Sequence, residues 1–274
     1  MDVRSRNWIN VRAMSKLLPS AALIGLLFAV RLDAHDFWLT ATREATGFKI
    51  SGLVGEKFPV PDSRTAVDRV ESWRVVGPSG DLGLPRNLFQ DGEYLATRVA
   101  LPAPGLYLGM MTIFERDIEM KGAEFTEYLR DEGLDQVIAE RARLGQTDAT
   151  ARERYARYSK IVLSTGPGSS AHLTRAAGMK AEFVPSVNPA AVKPGDSFAV
   201  QLLIEGKPVA GVQVSAVSRG TKLDARTDAN GRVGFTLPAS ASWLIKTVHM
   251  IRPVQPGAPA ADWQSYWVTL TFEN

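Results

Sequence analysis

Short runs in which apolar and polar residues alternate restrict the fold of this chain more than any other feature. In residues 198–204 the apolar positions recur every second residue, which is the period of a β-strand with one buried face. Similar runs fill residues 48–114 and residues 180–274, and turn residues such as those at 77–80 separate them. The pattern therefore predicts a mainly β protein made of two β-sandwiches.

Two local features predict how some of these strands pair. Residues 94–101 and 106–114 are joined by a Pro/Gly-rich connection, so we expect them to be adjacent antiparallel strands. Asn230-Gly231 favours a tight type I′ turn, which predicts a hairpin at that point.

The period changes between residues 121 and 164. Phe125, Tyr128 and Leu129 begin a series of apolar residues that recur at steps of three and four, as in an amphipathic helix. The sequence at 150–153 is a capping box and predicts the start of a second helix that extends to residue 164. We therefore expect a helical hairpin whose apolar stripe is buried against the sandwiches.

The first 34 residues have the composition of a secretory signal peptide. A basic segment precedes an apolar run at 17–30, which is shorter than the roughly 20 residues that a membrane span needs. Cleavage after Ala34 would leave His35 as the first residue of an exported, periplasmic chain that is not inserted in the membrane. The expected organisation is a signal peptide at 1–34, an N-terminal β-sandwich at 35–118, a helical insert with a loop at 119–178, and a C-terminal immunoglobulin-like sandwich at 179–274.

Charge and cysteine content exclude several classes of function. Five of the 32 Lys and Arg residues and two of the 29 Asp and Glu residues lie in the first 34 positions, so the remainder carries 27 of each. This balance argues against nucleic acid as a partner. The chain has no cysteine, which excludes disulfides, thiol nucleophiles and Cys-ligated metal sites.

Nitrogen ligands for a metal must come from three histidines, His35, His172 and His249. A terminal His35 would offer both its α-amine and its ring nitrogen, and His249 in a predicted strand would supply a second imidazole. Such donors suit copper, nickel, cobalt or zinc, and copper is bound most tightly. A hydrogen-bonded core residue is the competing interpretation of His249, and surface exposure is the default expectation for His172.

Oxygen ligands and catalytic residues are less clearly marked. Asp36 and Asp262 are candidate oxygen ligands, or groups that orient an imidazole. The sequence has no Gly-x-Ser-x-Gly elbow, no His-Glu-x-x-His motif and no phosphate-binding glycine loop. We therefore do not expect an enzyme.

Several motifs taken together resemble a known family. They occupy residues 35–38, 125–134, 154–160, 226–231, 243–250 and 262–272. The chain resembles an exported bacterial family that carries a domain of unknown function and is often labelled a periplasmic component of nickel or cobalt uptake. The resemblance implies periplasmic metal handling, with an envelope transport protein as a possible partner.

Three functions remain open from the sequence. The first is binding of a divalent transition metal (nickel, cobalt or copper) for uptake or sequestration, with His35 and His249 as the metal ligands. The second is a metal-free adaptor that binds another envelope protein. The third is a copper oxidase that uses a histidine brace on a carbohydrate. Metal content would separate the first two.

Overall fold

The computed structural model describes residues 35–83, 87–253 and 261–274. Eighteen elements follow one another along the chain. They are β1 (Asp36–Glu44), β2 (Gly47–Gly55), β3 (Val70–Gly77), β4 (Gly80–Asp81), β5 (Leu88–Asp91), β6 (Tyr94–Val99), β7 (Leu106–Met120), α1 (Gly122–Asp131), α2 (Asp135–Arg143), β8 (Ala151–Ser164), β9 (Ala181–Pro185), β10 (Ser197–Ile204), β11 (Lys207–Pro208), β12 (Gln213–Ser218), β13 (Thr221–Arg226), β14 (Arg232–Thr236), β15 (Ser242–Ile251) and β16 (Trp263–Glu273). The fold is mainly β, as the alternation predicts. The predicted signal peptide lies outside the described residues.

An eight-stranded sheet forms the centre of the fold, in the order β13-β12-β15-β16-β8-β7-β3-β4. Its strands come from both halves of the chain. They meet where β16 runs parallel to β8, from the pair Trp263 and Glu153 to the pair Thr271 and Ile161. The other pairs in this sheet are antiparallel. The two halves therefore share one sheet, which crosses the domain limits expected at 118/119 and 178/179.

A smaller sheet covers each face of the central sheet. The sheet β1-β2-β6-β5 packs on one face through a core that includes Phe37, Ile50, Trp73 and Ile161. Strands β9, β10, β11 and β14 pack on the other face through a core that includes Phe198. Two sandwiches are thus present, as predicted, and the C-terminal one has the two facing sheets that an immunoglobulin-like domain requires.

The helices α1 and α2 form a third core against the central sheet. Phe125, Leu129 and Val137 are buried there against Trp263 and Trp267. The two helices are separated at Gly133, whose φ of +67° ends α1 in a left-handed conformation that favours glycine. The helical period of residues 121–144 is confirmed, but as two short helices, and the hairpin expected between this segment and a second helix at 150–164 does not form.

The predicted second helix at 150–164 is wrong, because residues 151–164 form strand β8. Tyr158 and Val162 face one core, and Ile161 and Leu163 face the opposite core. Charged residues such as Glu153 and Lys160 are buried in this strand among the apolar ones, so neither face shows a regular alternation, and the apolar positions also satisfy a helical period.

Two expected strand pairings are also wrong. Strand β6 pairs with β2 and β5, whereas β7 pairs with β3 and β8, so these consecutive strands lie in different sheets. The turn at Asp228–Gly231 forms, with Gly231 at a φ of +69°. It connects β13 to β14, which belong to different sheets, and does not close a hairpin.

Candidate functional site

His35 lies at the start of β1 and contacts the loop that follows β2. Its Nδ1 is 2.7 Å from Ser63 Oγ and 3.1 Å from Asp62 Oδ1. On the opposite side of the ring, Nε2 is 3.7 Å from Glu56 Oε1. The imidazole therefore lies between two carboxylates, and the His35 side chain is only 12% exposed.

Hydrogen bonds within the loop fix the orientation of Asp62. The backbone amide of Glu56 donates to Asp62 Oδ2 at 2.9 Å, and the Ser63 hydroxyl donates to Asp62 Oδ1, also at 2.9 Å. The backbone amides of Asp62 and Ser63 both donate to the carbonyl oxygen of Val54. The loop therefore folds back on β2 and presents the Asp62 carboxylate to His35.

Side chains of the central sheet hold the first residues of β1. Arg157 donates to the carbonyl oxygen of His35 at 2.8 Å. Ser159 and Thr269 both donate to the carbonyl oxygen of Phe37, at 3.0 Å and 2.8 Å. These bonds come from β8 and β16, the parallel pair at the middle of the sheet, so the position of His35 depends on the junction of the two halves.

Asp36 belongs to a buried ionic cluster. Lys246 Nζ lies 2.7 Å from Asp36 Oδ2 and 3.0 Å from Glu132 Oε1. Burial opposes the ammonium form of Lys246, but the two carboxylates raise its pKa above the ordinary value. Burial also raises the pKa of Glu132, although Lys246 acts against this change. The cluster joins β1, β15 and the end of α1.

Glu153 on β8 is fully buried below the helices. Its Oε1 accepts hydrogen bonds from Tyr128 at 3.2 Å and from the hydroxyl of Ser265. Its Oε2 has no hydrogen-bond partner among the described residues. Burial raises the pKa of Glu153 to about 6, although the donated hydrogen bonds favour the carboxylate.

His249 lies far from this arrangement in the topology. Lys246, which contacts Asp36, and His249 are three positions apart on the continuous strand β15. Residues three positions apart on a strand face opposite sides of a sheet. His249 therefore faces the C-terminal sandwich, where its ring stacks on Tyr266 with centroids 6.3 Å apart, and burial lowers its pKa. The structure does not bring His35 and His249 together, which corrects the expectation that they share a metal ion.

The remaining predicted residues, His172 and Asp262, lie elsewhere in the fold. His172 is partly buried, contrary to the expected exposure, and burial lowers its pKa. Asp262 accepts a hydrogen bond from the backbone amide of Arg152 at 2.9 Å and pairs with the Arg152 side chain at 3.4 Å. Neither residue contributes to the surroundings of His35 described above.

The neighbours of His35 were not identified from the sequence. Glu56, Asp62 and Ser63 belong to a loop of Pro, Lys and acidic residues without a metal-binding motif. One feature of the sequence could have indicated them. Consecutive strands are usually adjacent, so the loop that follows β2 is expected to lie near the start of β1, where His35 is.

Within residues 35–83, 87–253 and 261–274, no group of three or more His, Asp or Glu side chains is arranged to hold a metal ion. Neither of the helices in the described ranges is long and apolar enough to cross a membrane.

Comparison with known proteins assigns a family. The domain of unknown function DUF4198 matches residues 32–251, which is most of the chain and includes His35, Asp62 and Lys246. The chain belongs to the DUF4198 family. No curated protein matches it.

Two solved structures show weak similarity to this DUF4198 protein. The D0-D1 domain of Intimin is 14% identical with a TM-score of 0.21, and the match covers 87% of this chain and 98% of that one. The three N-terminal domains of the bacteriophage RB49 Highly Immunogenic Outer Capsid protein (Hoc) are 11% identical with a TM-score of 0.17, covering 87% and 59%. Similarities this low carry no information about function.

Proposed function

We propose that the exported, mature form of this protein binds one divalent transition metal ion at His35 in the periplasm. The ion is nickel, cobalt or copper, and it is bound for delivery to an uptake system or for sequestration. The observation that carries the proposal is the distance of 3.1 Å between His35 Nδ1 and Asp62 Oδ1.

This distance suits two ligands of one ion. Nitrogen and carboxylate ligands lie about 2.0–2.2 Å from a metal such as zinc, so two of them at a right angle are about 3 Å apart. Asp62 is fixed by its loop and His35 by Arg157, so neither group has to move far. Imidazole and carboxylate donors fit the metals of this series.

The third donor in the proposal is the α-amine that cleavage after Ala34 would create. The amine and Nδ1 of a terminal histidine bind one ion as a chelate, which an internal histidine cannot form. Two protein side chains and the amine make a set of three donors, so the site does not require a third His, Asp or Glu side chain.

Glu56 supports this use of Nδ1. When Nδ1 binds a metal, the ring proton is on Nε2, and Glu56 Oε1 lies 3.7 Å from that atom. A carboxylate on the far side of a ligating imidazole favours this tautomer.

A calorimetric titration of Ni(II), Co(II) and Cu(II) into the mature protein tests the proposal. We expect one equivalent to bind, and Asp62→Asn to weaken the affinity about tenfold or more, because a neutral amide is a poorer ligand than a carboxylate. Asp148→Asn, which changes an exposed carboxylate away from the site, is the matched control and should bind as the wild type does. Failure of the mature wild-type chain to bind any of the three metals would favour the adaptor function instead.

A further inference from the structure

A polar cavity lies away from His35, between the turn after α2 and the start of β8. Its volume is about 390 Å³, and its walls include both charged and neutral polar side chains. The residues that matter here are Glu119, Arg141, Gln146, Thr150, Arg152 and Asp262. A cavity of this size accommodates a small ligand.

Arg141 is a buried cation without a carboxylate partner. It is only 3% exposed, and it forms no salt bridge within the described part of the chain. Its Nη2 donates to the carbonyl oxygens of Gln146 at 2.6 Å, Thr147 at 3.3 Å and Ala149 at 2.7 Å. Its guanidinium lies 4.9 Å from the centre of the Phe125 ring. These contacts fix the group without a salt bridge, and the only nearby carboxylate that favours its charge is the more distant Asp262 among the described residues.

The surroundings of Arg141 disfavour its charged form. Burial lowers its pKa, and the nearby cation Arg252 lowers it further. Arginine nevertheless remains protonated in proteins, so the charge persists in the folded state. Its Nε is buried, makes no hydrogen bond to the described residues and is left as a donor.

Neutral donors line the same cavity. Gln146 Oε1 accepts a hydrogen bond from Arg252 at 3.1 Å, which fixes the amide and leaves its NH₂ group as a donor. Thr150 adds a hydroxyl at the wall. The cavity therefore combines one fixed cation with at least two neutral donors.

The acidic residues nearby are mostly neutralised. Asp262 is paired with Arg152 at 3.4 Å, and Glu140 is paired with Arg252 at 3.0 Å. Glu119 is exposed and forms no salt bridge within the described residues, so it lies at the rim where water screens it.

We propose that this cavity binds a small oxyanion, with Arg141 supplying the charge and Gln146 and Thr150 supplying hydrogen bonds. Phosphate and small carboxylates share the chemistry that this donor set recognises. The site is separate from the metal site proposed at His35 and does not depend on it.

Titration of inorganic phosphate and of citrate into metal-free mature protein, at constant ionic strength, tests the proposal and distinguishes the two sources of oxyanion. We expect at least one of them to bind. Arg141→Gln should weaken binding about tenfold or more, since hydrogen bonds to charged groups contribute about 1.5–3 kcal/mol. Thr150→Val, which keeps the charge and shape, should weaken binding about threefold or more.

Two further variants keep the test independent of folding. Glu119→Gln removes the negative charge at the rim and should strengthen binding. Arg143→Gln changes an exposed arginine on the same helix and should have no effect. If Arg141→Gln fails to fold, Thr150→Val and Glu119→Gln decide the question. The proposal is overturned if neither phosphate nor citrate binds the wild type, or if Thr150→Val and Glu119→Gln both bind as the wild type does.

Discussion

His35 and Asp36 are adjacent in the chain, but their side chains have different environments. The imidazole of His35 contacts a surface loop, whereas the Asp36 carboxylate is buried against Lys246. The alternation of a β-strand accounts for this difference, because neighbouring side chains point to opposite sides. Asp36 therefore anchors the strand and is not available as the oxygen ligand that the sequence suggested.

The position of His249 predicts that this residue does not contribute to metal binding. His249→Ala should leave metal affinity at the wild-type level, because the residue faces the C-terminal sandwich on the far side of the central sheet. Calorimetric titration of Ni(II) into the variant measures this. A loss of affinity comparable to that of Asp62→Asn would show that His249 is coupled to the site.

Glu153 provides a prediction about pH. Burial raises its pKa from 4.5 to about 6, so the folded state binds a proton that the unfolded state releases at lower pH. The contribution of Glu153 to stability is therefore largest below pH 4.5 and is lost as the pH rises through 6. A pKa shift of this size changes the free energy of unfolding by about 2 kcal/mol across this pH range. We expect the free energy of unfolding of Glu153→Gln, relative to wild type, to increase by about this amount between pH 4 and pH 7.

Urea unfolding at several pH values measures the difference for Glu153. Glu127→Gln, which changes an exposed carboxylate on α1, is the control and should follow the wild-type curve. Parallel curves for wild type and Glu153→Gln would show that Glu153 does not titrate in this range.

At the scale of elements, Lys246 connects three parts of the fold. It is the cation between Asp36 on β1 and Glu132 at the end of α1, and it is carried by β15. Lys246→Met would leave two carboxylates together in a buried place, and breaking a buried ion pair costs about 3–5 kcal/mol. We expect a loss of stability of this order in chemical denaturation.

An exposed ion pair gives the matched control for Lys246. Lys222 lies 3.5 Å from Asp224 with both side chains over 40% exposed. Lys222→Met should change stability by less than about 1 kcal/mol, because water screens such pairs. Equal losses for the two variants would mean that the cluster around Lys246 contributes no more than a surface pair.

The sequence predicted elements well where one period dominated. The strict alternation at 198–204 and the helical steps at 125–138 both gave the correct element. Strand β8 was missed because charged and apolar residues are mixed on both of its faces, so its sequence has no regular alternation of apolar and polar residues. The conformation of β8 is determined by pairing with β7 and β16, which are more than a hundred residues apart in sequence. Tertiary pairing of this kind overrides local propensity.

At the scale of the whole molecule, the two sandwiches depend on each other. Leu108 and Met110 of β7 and Tyr158 of β8 belong to the core of the C-terminal sandwich. All the described residues belong to one compact unit. Two sandwiches could be predicted from the alternation, but not the shared sheet, because the parallel pairing of β16 with β8 leaves no local signal.

The shared sheet predicts the behaviour of a fragment. Residues 179–274 alone lack β7 and β8, so the inner strand β16 would become an edge and part of the core would be missing. We expect this fragment to show no cooperative thermal transition by circular dichroism, whereas residues 35–274 unfold cooperatively. A cooperative transition of the fragment would show that the C-terminal sandwich is an independent domain.

In the proposed site, the terminal amine of the mature chain, His35 and Asp62 bind one metal ion. The most direct measurement compares Ni(II) and Cu(II) affinities of a chain that starts at His35 with those of the same chain carrying a Gly-Ser extension longer than three residues. The extension keeps every side chain but moves the amine away. An ordinary α-amine titrates at about pH 7.7–8.0, so the titration is done at pH 8 and repeated at pH 6.5. If the amine is a ligand, binding weakens at the lower pH and the extension reduces it about tenfold or more. Equal affinity of the two chains at pH 8 would contradict the proposed site.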